Sequence, residues 1–333
     1  MLRIAGGTAD RRMTGSSVLR RTSFLHSCSG QPRRHDHAVA EAYAIFPRAD
    51  APARVLRQLA GIPMIRQISD TALLCAAYRA EEGRRRHALI RDPFAGRLAG
   101  ARGARLAARL PLREQRGRSS AVRTLLIDQL LMRQVRQGAD LVINLGAGLD
   151  TRPYRMDLPG SLPWVEVDLP NLIARKERRL AGVAPACRLW RVGLDLADRG
   201  ARQRLIGRLG RRSENALVVS EGLLIYLTRA QAGMLARDLA TAGFTRWVLD
   251  LVSPAALRLQ RQGIGPALCR AGAQLRFAPC EGPAFFRRHG WEVIAKRSLL
   301  GAAAQLVRLP QSAAASAVES GLDGWVCLLR RAG

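Results

Sequence analysis

Three acidic residues and a pair of glycines carry the chemistry that this sequence announces. Gly146 and Gly148, in "LVINLGAGLDTRPYR" (residues 141–155), follow directly on an apolar run. Without Cβ atoms they let the chain turn sharply and bring backbone N–H groups against a ligand. Asp168 stands twenty residues past Gly148, at the end of a second apolar run, where an acid can take both hydroxyls of a ribose. Asp195 follows a third run in "RVGLDLAD", and Glu221 a fourth in "LVVSEGLLIYL". Each has a plainer use: the glycines fit any tight strand-to-helix turn, Asp168 could cap the helix of "LPNLIARKERRL", and Asp195 that of "LADRGARQRL". Glu221 is harder to explain as structure, because an acid between apolar runs is costly unless paired or used. Together these residues imply a nucleoside-bearing, cationic ligand. S-adenosylmethionine fits that description, with its carboxylate seeking an arginine. A dinucleotide fits less well, since it carries a pyrophosphate and favours a third glycine where Thr151 stands.

Such residues need strands to present them. After Gly138 short apolar segments alternate with helical ones, and strands are expected at 141–145, 163–168, 187–192, 216–220, 247–251, 291–296 and 325–329. This rhythm means an α/β protein with a doubly wound, parallel sheet that binds ligands beyond the carboxyl ends of its strands. The last two strands are joined by "SLLGAAAQLVRLPQSAAASAVESGLDG", which has little helix signal and permits an antiparallel final pair. Before Gly138 the pattern is helical. Ser69 or Asp70 is positioned to cap "ISDTALLCAAYRAEEG", Asp92 to cap a helix with Pro93 in its first turn, and "SSAVRTLLIDQLLMRQVRQG" has Val122, Leu125, Leu126 and Leu130 on one face.

The 333 residues, 48% hydrophobic, suffice for a full core. A net charge of +28 raises nucleic acid or an anionic surface as partner. With two lysines, Lys176 and Lys296, against 52 arginines (54 less two), the charge reads instead as a composition in which nearly every basic position is arginine, and no basic run is interleaved with aromatics. Nucleic acid is therefore not the expected partner. No apolar stretch approaches the roughly 18 residues of a membrane span. Cys28, Cys75, Cys187, Cys269, Cys280 and Cys327 are too far apart for C-x-x-C chemistry, which predicts reduced thiols, a cytoplasmic setting and no metal site. Residues 1–63 are Arg-rich and aperiodic, and read as a disordered leader or a mis-set start with Met64 as the true beginning; His35 and His37 flank Asp36 there without a third ligand. Residues 64–138 are expected to form a helical lid and 139–333 the sheet-bearing core.

The quoted stretches, in order with "VRTLLIDQLL", "WVEVDLPNLIARKERRL" and "SEGLLIYLT", closely resemble the leucine carboxyl methyltransferase-like family, over about residues 64–333. The resemblance implies a class I, Rossmann-like, S-adenosylmethionine-dependent O-methyltransferase of the bacterial, secondary-metabolism type, with seven strands, the last antiparallel, under an N-terminal helical lid. It further implies that Arg123 holds the cofactor's carboxylate and that Gly146, Ala147 and Gly148 form the turn beside the methionine part. Asp168, with Leu169 beside it, takes the ribose, Asp195 and Leu196 meet the adenine, and Glu221 is the acid after the fourth strand. Tyr226 falls where the family's tyrosine lines the substrate side, though a packed aromatic would look the same. Where many methyltransferases place an acid before the glycine turn, this chain has Asn144.

Methyl transfer to a carboxylate oxygen needs no base, whereas a hydroxyl acceptor usually does. No residue stands out as that base, and His289 is expected on a helix before a strand, away from the ligand edge. The acceptor is expected to be a small molecule. An NAD(P)-dependent oxidoreductase, or a basic nucleic-acid-binding protein with a vestigial cofactor site, are the alternatives that the residues alone leave open.

Overall fold

The computed structural model describes residue 65 and residues 67–110, 113–306 and 321–333. Residues 1–64, on which the expectation of a leader or a mis-set start at Met64 and the histidines His35 and His37 fall, lie outside the described residues.

Seven strands form one sheet: β1 (Leu141–Leu145), β2 (Pro163–Asp168), β3 (Arg188–Gly193), β4 (Ala216–Ser220), β5 (Arg246–Val252), β6 (Trp291–Ser298) and β7 (Gly324–Arg331). Their spatial order is β3-β2-β1-β4-β5-β7-β6. Pairing is parallel from β3 through β5, and β7 is antiparallel to both of its neighbours. The expected doubly wound sheet with an antiparallel last strand is therefore present. Strand order reverses between β1 and β4, so a crevice opens at their carboxyl ends.

The helices are α1 (Ser69–Glu82), α2 (Ala95–Arg109), α3 (Arg113–Arg136), α4 (Arg152–Arg155), α5 (Pro170–Arg179), α6 (Arg199–Gly210), α7 (Arg229–Thr241), α8 (Pro254–Gly263), α9 (Gly265–Arg270) and α10 (Leu299–Leu306), with 3₁₀ turns at Leu224–Tyr226 and Gly282–His289. Alternation along the strands sorts the core. Leu141, Ile143 and Leu145 face one layer with Leu235 and Leu239 of α7, while Val142 faces the other with Leu126, Ile127 and Leu130 of α3. A third apolar cluster joins α1 and α2 to Leu149, Leu172 of α5, Leu257 of α8 and Leu268 of α9. Thus α1 and α2 pack by the loops that follow β1 and β2, whereas α3 belongs to the layer that covers the sheet.

Two local readings fail. Ser69 and Asp70 do not cap α1; Asp70 is fully buried and accepts two bonds from Arg102, at 2.7 and 2.6 Å, tying α1 to α2. The stretch after β6 does hold a helix, α10, whose run of Leu, Ala and Gly packs without the amphipathic rhythm that marks a surface helix. Asp92 accepts from the N–H groups of Phe94 and Ala95 at 3.1 and 3.0 Å and so closes the turn that leads into α2. The helix itself begins at Ala95 with Phe94 at its N-cap position, which leaves Pro93 in that turn rather than in the first turn of the helix.

Candidate active site

A cavity of about 550 Å³ opens at the carboxyl ends of β1, β2, β4 and β5, beneath α1 and alongside α3. Its size is that of a site for a small-molecule ligand. The glycine turn forms part of the wall. Gly146 (φ +67°) and Gly148 (φ +48°) are left-handed, and a Cβ on Gly146 would lie 3.0 Å from Leu223 Cδ1. Glycine is therefore required for the backbone itself, and the ligand face stays clear of side chains.

Asp168, at the tip of β2, does not cap α5. Its Oδ2 accepts from the Gly148 N–H at 2.6 Å and its Oδ1 from the Leu169 N–H at 2.7 Å. The first bond ties the acid to the glycine turn twenty residues earlier. Burial lifts this carboxyl above its ordinary value, against the pull of the two N–H groups. Asp195 likewise leaves capping to Asp198, which accepts from the Ala201 N–H at 3.0 Å; Asp195 instead accepts from the Ala197 N–H at 2.9 Å and lines the cavity with Leu196 and Leu169.

Glu221 is anchored from three directions. Arg123 Nε donates at 3.1 Å, Thr124 Oγ1 at 3.0 Å and Arg152 Nη2 at 2.7 Å. Burial works against its ionisation, but the guanidiniums of Arg152 and Arg123 outweigh burial and hold the carboxyl down at about 2. Arg123 also reaches Asp250 of β5 at 3.5 Å, and Asp250 accepts from the Gly222 N–H at 2.7 Å. Burial raises the Asp250 carboxyl above its ordinary value despite Arg123. Tyr226, in the 3₁₀ turn after β4, lines the same cavity; burial pushes its hydroxyl up to about 12, opposed by a hydrogen bond with Thr71.

The structure thus brings Arg123, Gly146, Ala147, Gly148, Asp168, Leu169, Asp195, Leu196, Glu221 and Tyr226 to one cavity. Sequence reasoning missed the residue that organises them. Arg152 is 1% exposed and donates to Asp128 of α3 at 2.6 Å, to Asp150 at 2.8 Å and to Glu221 at 2.7 Å, joining a helix, the glycine turn and a strand tip. Asn144 completes the set, its Nδ2 donating to Asp150 Oδ2 at 2.7 Å. An amide suits this position because its partner is a carboxylate. Asp250 carried a readable signal, an acid inside the apolar run "WVLDLV", the same signal that singled out Glu221.

Among the described residues that line the cavity there is no histidine. His289 lies in the 3₁₀ turn before β6, where its Nδ1 is 3.0 Å from Arg237 Nη1. No group of His, Cys, Asp and Glu among the described residues could hold a metal ion, and no helix among them is long and apolar enough to cross a membrane.

The family model for leucine carboxyl methyltransferase matches residues 72–240, a span that holds the glycine turn, the three strand-tip acids and Arg123. A Parafrankia sp. (strain EAN1pec) protein, provisionally named an S-adenosyl-L-methionine-dependent methyltransferase, is 30% identical over 238 residues, covering 67% of this chain and 76% of that protein. The chain belongs to the leucine carboxyl methyltransferase family. A similarly named Mycobacterium marinum protein is 33% identical over 174 residues, which is 48% of this chain and 58% of that relative's length, so the match spans little more than half of it. Among solved structures, a provisionally named methyltransferase from Thermobifida fusca is similar in fold, with a TM-score of 0.51 at 15% identity over 86% of this chain and 99% of that one. The family match ends at residue 240, so Asp250, which braces Arg123, lies just beyond it.

Proposed function

We propose that this chain is an S-adenosylmethionine-dependent O-methyltransferase that methylates a carboxylate or hydroxyl oxygen of a small molecule, of the kind made in secondary metabolism, in the cytoplasm. One observation carries the reading most: acids at or just after the tips of β2, β3 and β4, on either side of β1, meet the side-chain-free turn that follows β1 and an arginine in one cavity of a chain of this family. The donor set fits the cofactor. Asp168 has two backbone N–H groups on its oxygens and remaining lone pairs for the ribose hydroxyls. Arg123 suits the amino-acid carboxylate, Glu221 and Asp250 supply negative charge beside it, Gly146, Ala147 and Gly148 take the methionine part, and Asp195 with Leu169 and Leu196 takes the adenine. When bound, S-adenosylmethionine supplies an electrophilic methyl carbon on a sulfonium.

The protein's part is to bind, orient and exclude water. Alignment of acceptor oxygen and methyl carbon at about 3 to 3.5 Å is the main requirement of an in-line displacement. Helices α1 and α2 serve as the cover that keeps the cavity dry. Tyr226, with a hydroxyl near 12, is a hydrogen-bond donor rather than a base at neutral pH. A carboxylate acceptor, already ionised, fits a cavity without a histidine.

The purified chain should release S-adenosylmethionine or S-adenosylhomocysteine on denaturation, detected by mass spectrometry, and should label small carboxylic acids or phenols from a methyl-labelled donor. Co-purified NAD(P), or stabilisation by NAD and not by S-adenosylhomocysteine, overturns the reading in favour of an oxidoreductase. Tight, salt-sensitive affinity for nucleic acid without either cofactor points to a binding protein.

A further inference from the structure

Apart from the main cavity, the start of α1 and one stripe of α5 enclose a second pocket of about 160 Å³. That volume exceeds the roughly 30 Å³ share of one water and falls short of the roughly 300 Å³ at which small-molecule sites begin. It suits a small ion rather than a cofactor or a metabolite. Its polar lining consists of Gln67, Ser69, Asn171, Arg175 and Arg178, with Leu73 and Leu172 as the apolar remainder. All five polar side chains can donate hydrogen bonds, and no carboxylate is among the described lining residues. The spacing explains the grouping. Asn171, Arg175 and Arg178 stand four and three residues apart on α5, and Ser69 and Leu73 four apart on α1, so each helix turns one stripe to the pocket.

Arg175 shows what this pocket is built to meet. Its Nε is shut off from solvent and, among the described residues, has no hydrogen-bond partner. Proteins leave few buried polar atoms in that condition, and each calls for a reason. Burial, and then the like charges of Arg179, Arg102 and Arg178, push the Arg175 guanidinium below its ordinary value, with Asp70 acting the other way. Asp70 is already engaged, since it accepts two bonds from Arg102 at 2.7 and 2.6 Å. Positive charge gathered around a buried N–H is matched by an oxyanion, which accepts from guanidiniums, amides and hydroxyls at once.

We propose that this pocket binds a phosphate-sized oxyanion, and that the ion ties α1 to α5. The site goes beyond the methyltransferase reading and does not rest on it. Ser69 and Leu172 also line the main cavity, so the bound ion braces the helix that covers it.

The test uses the full chain and inorganic phosphate. Phosphate is titrated against sodium chloride at equal pH and ionic strength, and the melting temperature is followed by scanning fluorimetry. It should rise saturably, by about 2 to 4 °C at ten times the dissociation constant. Arg175→Gln combined with Arg178→Gln should erase the gain. Arg211→Gln combined with Arg212→Gln removes the same charge from exposed positions just past α6, and should keep it. No saturable gain over chloride, or a gain that both double variants keep or both lose, overturns the proposal. In chloride alone Arg175→Gln should melt at or above the wild type, because a crowded guanidinium is removed. A fall of more than about 2 °C means that Arg175 serves structure, and also overturns it. Glycerol phosphate separates two sources of the ligand: a gain equal to that from phosphate assigns the site to the phosphoryl group of a larger compound, and a gain from phosphate alone assigns it to the free ion. No step involves S-adenosylhomocysteine, so this proposal and the methyltransferase reading fail separately.

Discussion

Replacing Arg152 by methionine should unfold the strand-tip cluster's logic in a measurable way. The side chain is 1% exposed and makes bonds of 2.6, 2.8 and 2.7 Å to three carboxylates. Breaking a buried ion pair by removing one partner typically costs about 3 to 5 kcal/mol. Here each carboxylate keeps other company: Asp128 keeps Arg155 at 2.7 Å, Asp150 keeps Asn144 at 2.7 Å, and Glu221 keeps Arg123 at 3.1 Å. The cost should therefore sit near 3 kcal/mol, and at about 2 °C per kcal/mol for a domain of this size the melting temperature at pH 7 should drop by roughly 6 °C. The pH dependence has a definite sign. In the wild type the Glu221 carboxyl is held at about 2, below its ordinary value, so its contribution to stability is present above pH 4.5 and lost as pH falls through 2. Without Arg152 burial dominates and the carboxyl rises, so the variant should lose less on acidification. Differential scanning fluorimetry from pH 7 to pH 4 should show the gap between the two proteins closing. A variant within 1 °C of the wild type at pH 7, or a gap that does not change with pH, refutes the assignment of Arg152 as the organising cation.

Gly146→Ala places a Cβ at 3.0 Å from Leu223 in a left-handed conformation, and should destabilise the fold by about 1 to 2 kcal/mol while weakening S-adenosylhomocysteine binding, as read by thermal shift with and without the ligand. Asn144→Asp restores the acid common elsewhere but sets it 2.7 Å from Asp150, where like charges repel; the melting temperature should fall at pH 7 and recover toward pH 5 as one of the pair takes a proton.

What could be read in advance follows a physical division. Strands buried on both faces announce themselves as apolar runs, and β1, β2 and β4 were expected within the residues observed. Acids that interrupt or end such runs stand out, which is why Asp168, Asp195 and Glu221 were visible. Arg152 and Asp128 were not, because in a chain with 54 Lys and Arg another arginine carries no signal, and Asp128 in "LLIDQLL" looks like the solvent face of a helix. Their meaning depends on three elements meeting, and nothing local encodes that. Asp70 misled for a related reason: the residue type that caps helices is also the type that pairs with a distant arginine, here Arg102, and only tertiary contact separates the two uses.

The central claim is that strand-tip carboxylates hold the cofactor, and isothermal titration of S-adenosylhomocysteine into the wild type and Asp168→Ala tests it most directly. Loss of charge-assisted hydrogen bonds worth about 1.5 to 3 kcal/mol should weaken binding by roughly 10- to 100-fold, with the fold retained. Equal affinity for the two proteins, or no binding to the wild type, contradicts the account.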